Sequence, residues 1–228
     1  VLAIDTSLSM QATDVAPTRL DSAKAAAVSF IEDLPDRIRI GIISFNGVAT
    51  IRVLPTHNHE AAAAAVTSLE LGPATAIGEA IFAGLDSLDQ ASSGDDDSPP
   101  ARIVVMSDGE TTVGRSDEEA VAAAQQTAVP VSTIAFGTDE GLILLPDDPR
   151  PIAVPVNEER LRAIAESTGG QFYTAASTGE LDRVYENIGS SVALETVEDE
   201  IAQSYVTLGL ALMTIAASAS LTWFSRLP

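Results

Sequence analysis

"VLAIDTSLSM", residues 1–10, runs the apolar stretch Val1–Ile4 straight into Asp5, Ser7 and Ser9 at alternate positions. An unbroken apolar run of this kind reads as a strand buried on both faces, the pattern of a parallel sheet covered by helices. The polar end has two readings. Asp and Ser are ordinary turn residues, so a capped turn accounts for them. Small oxygen-bearing side chains at the tip of a buried strand are also what a hard cation requires.

The chain downstream repeats the theme. Arg19 to Leu34 has helical apolar spacing (Leu20, Ala23, Ala27, Phe30 and Ile31). Ile38–Phe45 and Ala49–Leu54 read as strands joined through Asn46-Gly47, a pair that favours a tight hairpin and so predicts one antiparallel edge strand. Helices are expected over His59–Leu69 and Ala76–Leu88, then a solvated Ser/Gly/Asp loop, Ser92–Pro100. The pattern continues with strand Ile103–Met106, helix Asp117–Thr127 and strand Val131–Phe136. An insert, Gly141–Val156, reads as two short strands around Pro146-Asp147-Asp148-Pro149, placed where it borders the rim of the sheet. Helix Glu158–Ser167, strand Gln171–Tyr173 and helix Gly179–Val192 follow. Apolar strands alternating with helices predict an α/β domain with a doubly wound, Rossmann-like, mostly parallel sheet, whose ligands bind beyond the carboxyl ends of the strands.

Composition narrows the function. The 228 residues carry 33 Asp and Glu against 12 Lys and Arg, a net charge of −21, which repels nucleic acid and favours cations, basic partners or simple solubility. Without cysteine, neither disulfides nor thiolate metal sites are available. Val1 falls inside a strand pattern with no initiator Met, so residues are expected to precede it. The division read from the sequence is a domain over 1–193, a linker over 194–205, a membrane span over 206–224 and a short tail over 225–228. Val206–Phe224 carries no charge and has about the ~20-residue length that crosses ~30 Å of hydrocarbon, with Tyr205 and Trp223 at its ends as interfacial aromatics. Arg226 follows it, while Glu186–Tyr205 before it holds no Lys or Arg, a bias that places the domain outside the cytoplasm.

Asp5 ends one buried strand and Asp108, in "VVMSDGE" (104–110), follows another, so both carboxylates belong to one rim of the sheet. Between them "GPATAIGEAI" (72–81) sets Thr75 in a loop before a helix, with Gly72 and Gly78 permitting unusual backbone there. With these residues the chain resembles the von Willebrand factor A-type domains, whose metal-ion-dependent adhesion site uses Asp-x-Ser-x-Ser, a loop Thr and a later Asp. The resemblance spans 1–193 and implies that Asp5, Ser7, Ser9, Thr75 and Asp108 surround Mg²⁺, or Ca²⁺ or Mn²⁺. It implies further that the cation accepts a carboxylate from a protein partner, and that Thr75 changes its metal contact when the partner binds. "SMQATDVAPTRLDSAK" (9–24) together with the C-terminal span is similar to the bacterial membrane-anchored Bat-like group, its actinobacterial and mycobacterial members above all. That likeness implies a MoxR-type AAA+ ATPase among the partners and membrane segments upstream of Val1.

Other chemistries fit less well. "AIDTS" lacks the glycine between Asp and Thr of sugar-kinase and actin-like phosphate loops, and Ser7 stands where haloacid-dehalogenase-like phosphatases need a second Asp. No Gly-x-Ser-x-Gly and no P-loop occur, so no enzyme activity is expected. A structural membrane protein with a vestigial metal site is the alternative. His57 and His59 have a spacing that could serve zinc, but "PTHNHE" (55–60) offers no third strong ligand and reads as a loop. Asp21 is expected at a helix surface or cap, and Asp95–Asp97 in a solvating loop.

Overall fold

The computed structural model describes residues 1–92, 100–145, 148–191, 205–206, 209–210 and 212–214. They divide into two compact units, Val1–Gly189 and Ser190–Pro228.

The first unit is built on a six-stranded sheet of order β3-β2-β1-β4-β5-β8. Its strands are β1 (Leu2–Asp5), β2 (Ile40–Phe45), β3 (Ala49–Thr56), β4 (Ile103–Ser107), β5 (Val131–Phe136) and, at the far edge, β8 (Phe172–Ala175). All neighbours are parallel except β2 and β3, so the Asn46-Gly47 hairpin makes the one antiparallel edge that the sequence predicts. β3 runs two residues past the predicted Leu54, through Pro55. An edge strand tolerates proline because one side of its backbone needs no ladder partner.

Helices cover both faces because the central strands are apolar on both. Ala3, Ile43, Phe45, Val105 and Ala135 face a core shared with α3 (Ile77–Ala91), α4 (Asp117–Gln126) and α5 (Glu158–Thr168). The opposite face receives α1 (Arg19–Asp33), which packs on α2 (His59–Thr67), and a helical segment over 178–191, here α6. α6 buries Leu181, Tyr185 and Ile188 at helical spacing. Tyr185 stacks on Phe30 of α1 with ring centroids 4.8 Å apart and points its hydroxyl at Met106 Sδ, 3.7 Å away.

Local chemistry explains the ends. Thr18 is the cap of α1: it accepts the Asp21 N–H and donates its hydroxyl to the Asp21 carboxylate, so Asp21 is an exposed first-turn residue bonded to the cap. Ser116 and Glu119 form a capping box on α4. The insert is an antiparallel hairpin of β6 (Leu142–Leu145) and β7 (Asp148–Ala153); its tip, 146–147, lies outside the described residues. So do the acidic run Asp95–Asp97, nearly all of the 194–205 linker, and the 225–228 tail. Of the expected span over 206–224, residues 206, 209–210 and 212–214 are described and are helical and exposed; the remainder lies outside. Among the described residues no helix is long and apolar enough to cross a membrane.

Candidate metal centre

The strand order reverses direction of winding between β1 and β4, the point at which an open parallel sheet leaves a crevice beyond its carboxyl ends. Register then decides what meets there. Ile4 pairs with Met106, so Asp5 at the end of β1 lies opposite Ser107 at the end of β4, and the Ser107 hydroxyl donates to Asp5 Oδ2 at 2.6 Å. The other carboxylate oxygen, Oδ1, accepts the Ser7 N–H at 2.8 Å. Asp5 is fully buried.

After Asp5 the chain folds into a 3-10 turn, Leu8–Gln11, pinned by the buried Met10. Ser7 occupies the cap position of this turn, yet its side chain makes no capping bond; its hydroxyl lies 2.9 Å from that of Ser9. The capped-turn explanation of these serines therefore does not describe them. Asp108, which leaves the neighbouring strand, is also fully buried. Asp5, Ser7 and Ser9 are thus joined by hydrogen bonds at the rim where Asp108 leaves the adjacent strand.

Thr75 arrives on the loop between α2 and α3, and backbone bonds fix its place. Gly72 bridges to Ser7 and donates its N–H to the Thr6 carbonyl at 2.7 Å. The Thr75 carbonyl accepts the N–H groups of Thr112 and Val113, and the Thr75 N–H donates to Thr112 Oγ1 at 3.0 Å. The loop is sewn on one side to the serine turn and on the other to the chain leaving Asp108. Thr75 itself is buried. The glycines serve this loop differently from expectation. Neither Gly72 nor Gly78 has positive φ; the left-handed residue is Ala74, at φ 61°. The two glycines provide room instead. A Cβ on Gly72 would stand 2.2 Å from the Asn46 side-chain nitrogen, and one on Gly78 2.3 Å from the Arg115 carbonyl oxygen.

The electrostatics are those of a site short of positive charge. Burial, then the neighbouring Asp108 carboxylate, pushes Asp5 up to about 7, against the pull of its bonds to Ser107 and Ser7. Burial also raises Asp108, opposed by the Ser9 hydroxyl and the Arg19 guanidinium. Arg19, fully buried in the first turn of α1, reaches Asp108 Oδ2 through Nη1 at 3.2 Å. Its Nε and Nη2 hold Asp14 at 2.8 and 2.7 Å, and Nη2 also donates to the Thr138 and Val154 carbonyls. Burial raises Asp14, but Arg19 and Thr138 outweigh it and hold its carboxyl below the usual range.

Sequence reading missed Ser107, Arg19 and Asp14. Ser107 was within reach, since pairing the ends of the two strands places it beside Asp5. A buried arginine inside an amphipathic helix pattern leaves no such trace. The histidines are separate from the site: His57 Nδ1 is 2.9 Å from the Asp36 carbonyl oxygen and His59 Nε2 is 2.8 Å from that of Ile38. Among the described residues no three His, Cys, Asp or Glu side chains gather as a metal site. The oxygen set here, two carboxylates with small hydroxyls, is of a different kind, and it suits a hard divalent cation. Two neighbouring carboxylates whose proton affinity is raised by burial are what a 2+ charge relieves.

This fold, with oxygens converging at the β1/β4 rim, belongs to the von Willebrand factor type A class, and the family model for the von Willebrand factor type A domain matches residues 1–110. Over its whole length the chain is 37% identical to a UPF0353 protein of Nocardia farcinica, covering 73% of that protein. It is 39% identical to one of Mycolicibacterium vanbaalenii, covering 100% of this chain and 70% of the relative. The chain belongs to the UPF0353 family of actinobacterial von Willebrand factor type A proteins. Among solved structures, BatB from Bacteroides thetaiotaomicron superposes with a TM-score of 0.72 at 26% identity, over 84% of this chain and 97% of that one. An aerotolerance-related membrane protein from Bacteroides fragilis gives 0.73 at 22% identity, over 84% and 96%. Proximal thread matrix protein 1 from the mussel byssus, solved with a zinc-occupied MIDAS motif, gives 0.63 at 16% identity, over 82% and 46%. Type A domains can thus hold a divalent metal at such a site.

Proposed function

We propose that the domain binds a protein partner through a divalent cation, Mg²⁺ in the first instance, with Asp5, Ser7, Ser9, Thr75 and Asp108 holding the ion directly or through water. The observation that carries this reading is the pair of fully buried carboxylates at the ends of neighbouring strands, beside the paired Ser7 and Ser9 hydroxyls at the sheet's switch point, with Ser7 left uncommitted to its turn. When bound, the cation supplies an electrophilic position that a partner's carboxylate fills. Among the described residues the site pairs no nucleophile with a histidine base, and recognition rather than catalysis is the proposed role.

The domain is membrane-anchored in this reading. The uncharged stretch 206–224 supports a span, and Tyr205, Val206, Leu210, Leu212 and Met213 are apolar or aromatic and exposed. Arg226 supports an extracytoplasmic domain. The likeness to BatB supports a role within a membrane complex, and a MoxR-type ATPase is the proposed associate, acting on an external domain through intermediates. Titration calorimetry of the Mg²⁺ complex tests the core of the proposal: binding by the wild-type chain is expected, with loss in Asp5→Ala. Unchanged affinity in the variant would refute the site. Protease added to spheroplasts tests the orientation, with digestion of the domain expected.

A further inference from the structure

Exposed aliphatic side chains stand among the polar residues of the loops tied to the oxygen cluster. On the β2 side three loops interlock. The Asn46–Val48 turn donates Gly47 N–H to the Pro73 carbonyl, Leu71 precedes the Gly72 that bridges to Ser7, and Val113 bonds the Thr75 carbonyl. Val48, Leu71 and Val113 project from these loops with 65%, 38% and 43% of their surface exposed. On the β5 side stands the β6–β7 hairpin. Gln11, at the end of the turn that carries Ser9, donates to the Leu144 carbonyl at 3.0 Å, so the hairpin flanks the same turn. Strand alternation buries Ile143 and turns Leu142 and Leu144 outward, 54% and 60% exposed. Exposed aliphatic residues on both sides of one polar centre form a binding rim rather than scattered surface.

The same loops carry negative charge: Glu70, Glu110, Asp139 and Glu140 are exposed on or beside them, Glu110 with its N–H on Asp108 Oδ1. A partner approaching this face meets a cation among aliphatic side chains and carboxylates. Building on the proposed metal site, we infer that the partner presents a single carboxylate flanked by aliphatic residues, with Lys or Arg close by. Further acidic residues are repelled by these carboxylates, and polar flanks leave the aliphatic side chains wet. The metal supplies the anchor, and the rim decides which acidic residue is accepted.

Three synthetic heptapeptides test this against the full chain in phosphatidylcholine nanodiscs, by interferometry in Mg²⁺ and in EDTA. The first has a central Asp between leucines with Lys at each end. The second replaces the leucines by glycine, and the third replaces the Asp by Asn. The first peptide is expected to bind at least tenfold more tightly than the second, and both the Asn change and EDTA abolish binding. The Leu142→Ser/Leu144→Ser variant is expected to lose the leucine advantage while its Mg²⁺ affinity, read by calorimetry, stays unchanged. Equal binding of the leucine and glycine peptides, or no binding of either by the Mg²⁺-loaded chain, overturns the inference and leaves the metal site standing. Absence of Mg²⁺ binding overturns the metal reading itself, and this inference with it.

Discussion

Arg19 Nη1 stands 3.2 Å from Asp108 Oδ2, and neither side chain is exposed to water. The same guanidinium grips Asp14 with two of its nitrogens and ties down the carbonyls of Thr138 and Val154, at the two ends of the hairpin insert. One buried cation therefore serves the candidate metal centre and the base of the hairpin together.

Removing it leaves two carboxylates without their cation. Breaking a buried ion pair by truncating one partner costs about 3–5 kcal/mol, and Arg19→Met is expected to fall in that range by urea denaturation. Arg19→Lys keeps the charge but loses the two-nitrogen grip on Asp14, so an intermediate loss is expected. Gly141→Ala tests the same packing from the other side, because a Cβ there would lie 2.1 Å from Arg19 Nη2. A loss below about 1 kcal/mol in Arg19→Met, the scale of an exposed pair, would show that the network does not hold the fold.

The raised carboxyl of Asp5 makes both stability and metal binding depend on pH. In the unfolded chain it loses its proton near 3.8, and in the fold near 7. Between those values the folded state holds the extra proton, so the metal-free protein loses stability as pH rises from about 4 to about 7. A bound cation needs the ionised carboxylate. Mg²⁺ affinity is therefore expected to fall about tenfold per pH unit below 7, and the stabilisation by Mg²⁺ to be largest above it. Thermal melts at pH 5 and pH 8, with Mg²⁺ and with EDTA, read both effects. A metal-free melting temperature that rises from pH 5 to pH 8 would contradict this account of Asp5.

Thr75 separates backbone from side chain. Its N–H and carbonyl sew the loop to Thr112 and Val113, and Thr75→Ala keeps both. The stability change is expected to stay within about 1 kcal/mol, with Mg²⁺ affinity weakened severalfold rather than lost as in Asp5→Ala. Thr112→Val removes the acceptor of the Thr75 N–H, which leaves a buried donor unpaired at a cost of about 1–3 kcal/mol. Calorimetry and denaturation on the two variants check the split. A Thr75→Ala chain with wild-type Mg²⁺ affinity would remove Thr75 from the ligand set.

The features legible in the sequence are those that repeat along it. Apolar runs on both faces of β1, β4 and β5 announce a parallel sheet between helices, and Asn46-Gly47 announces its antiparallel edge. Both carboxylates were placed at one rim because each ends such a run. What escaped depends on partners distant in sequence. Arg19 meets Asp108 89 positions away and Val154 135 away, and no local pattern encodes either contact. Glycine chemistry misled in the same way, since Gly72 and Gly78 look like backbone devices until Asn46 and Arg115 are seen packed against them. The ends of elements shifted by a few residues where capping or edge position, rather than periodicity, decides.

The carboxyl boundary of the domain gives the last prediction. Tyr185 is buried, stacks on Phe30 and reaches Met106, and its hydroxyl is pushed past the ordinary tyrosine range by that burial. Leu181 and Ile188 complete an apolar stripe that closes the α1 face of the sheet. A chain ending at 191 keeps the whole stripe and is expected to fold with the melting temperature and Mg²⁺ affinity of the full chain. Ending at 177 instead uncovers Phe30 and Met106 along with the lost helix. Deleting large buried side chains costs about 3–5 kcal/mol for an aromatic alone, so the shorter chain is expected to be largely unfolded. The truncation at 191 also isolates the contribution of residues 192–228. If these carry the span, the full chain floats with liposomes in a density gradient and the 1–191 chain does not. Flotation of the 1–191 chain would assign membrane attachment to the domain itself.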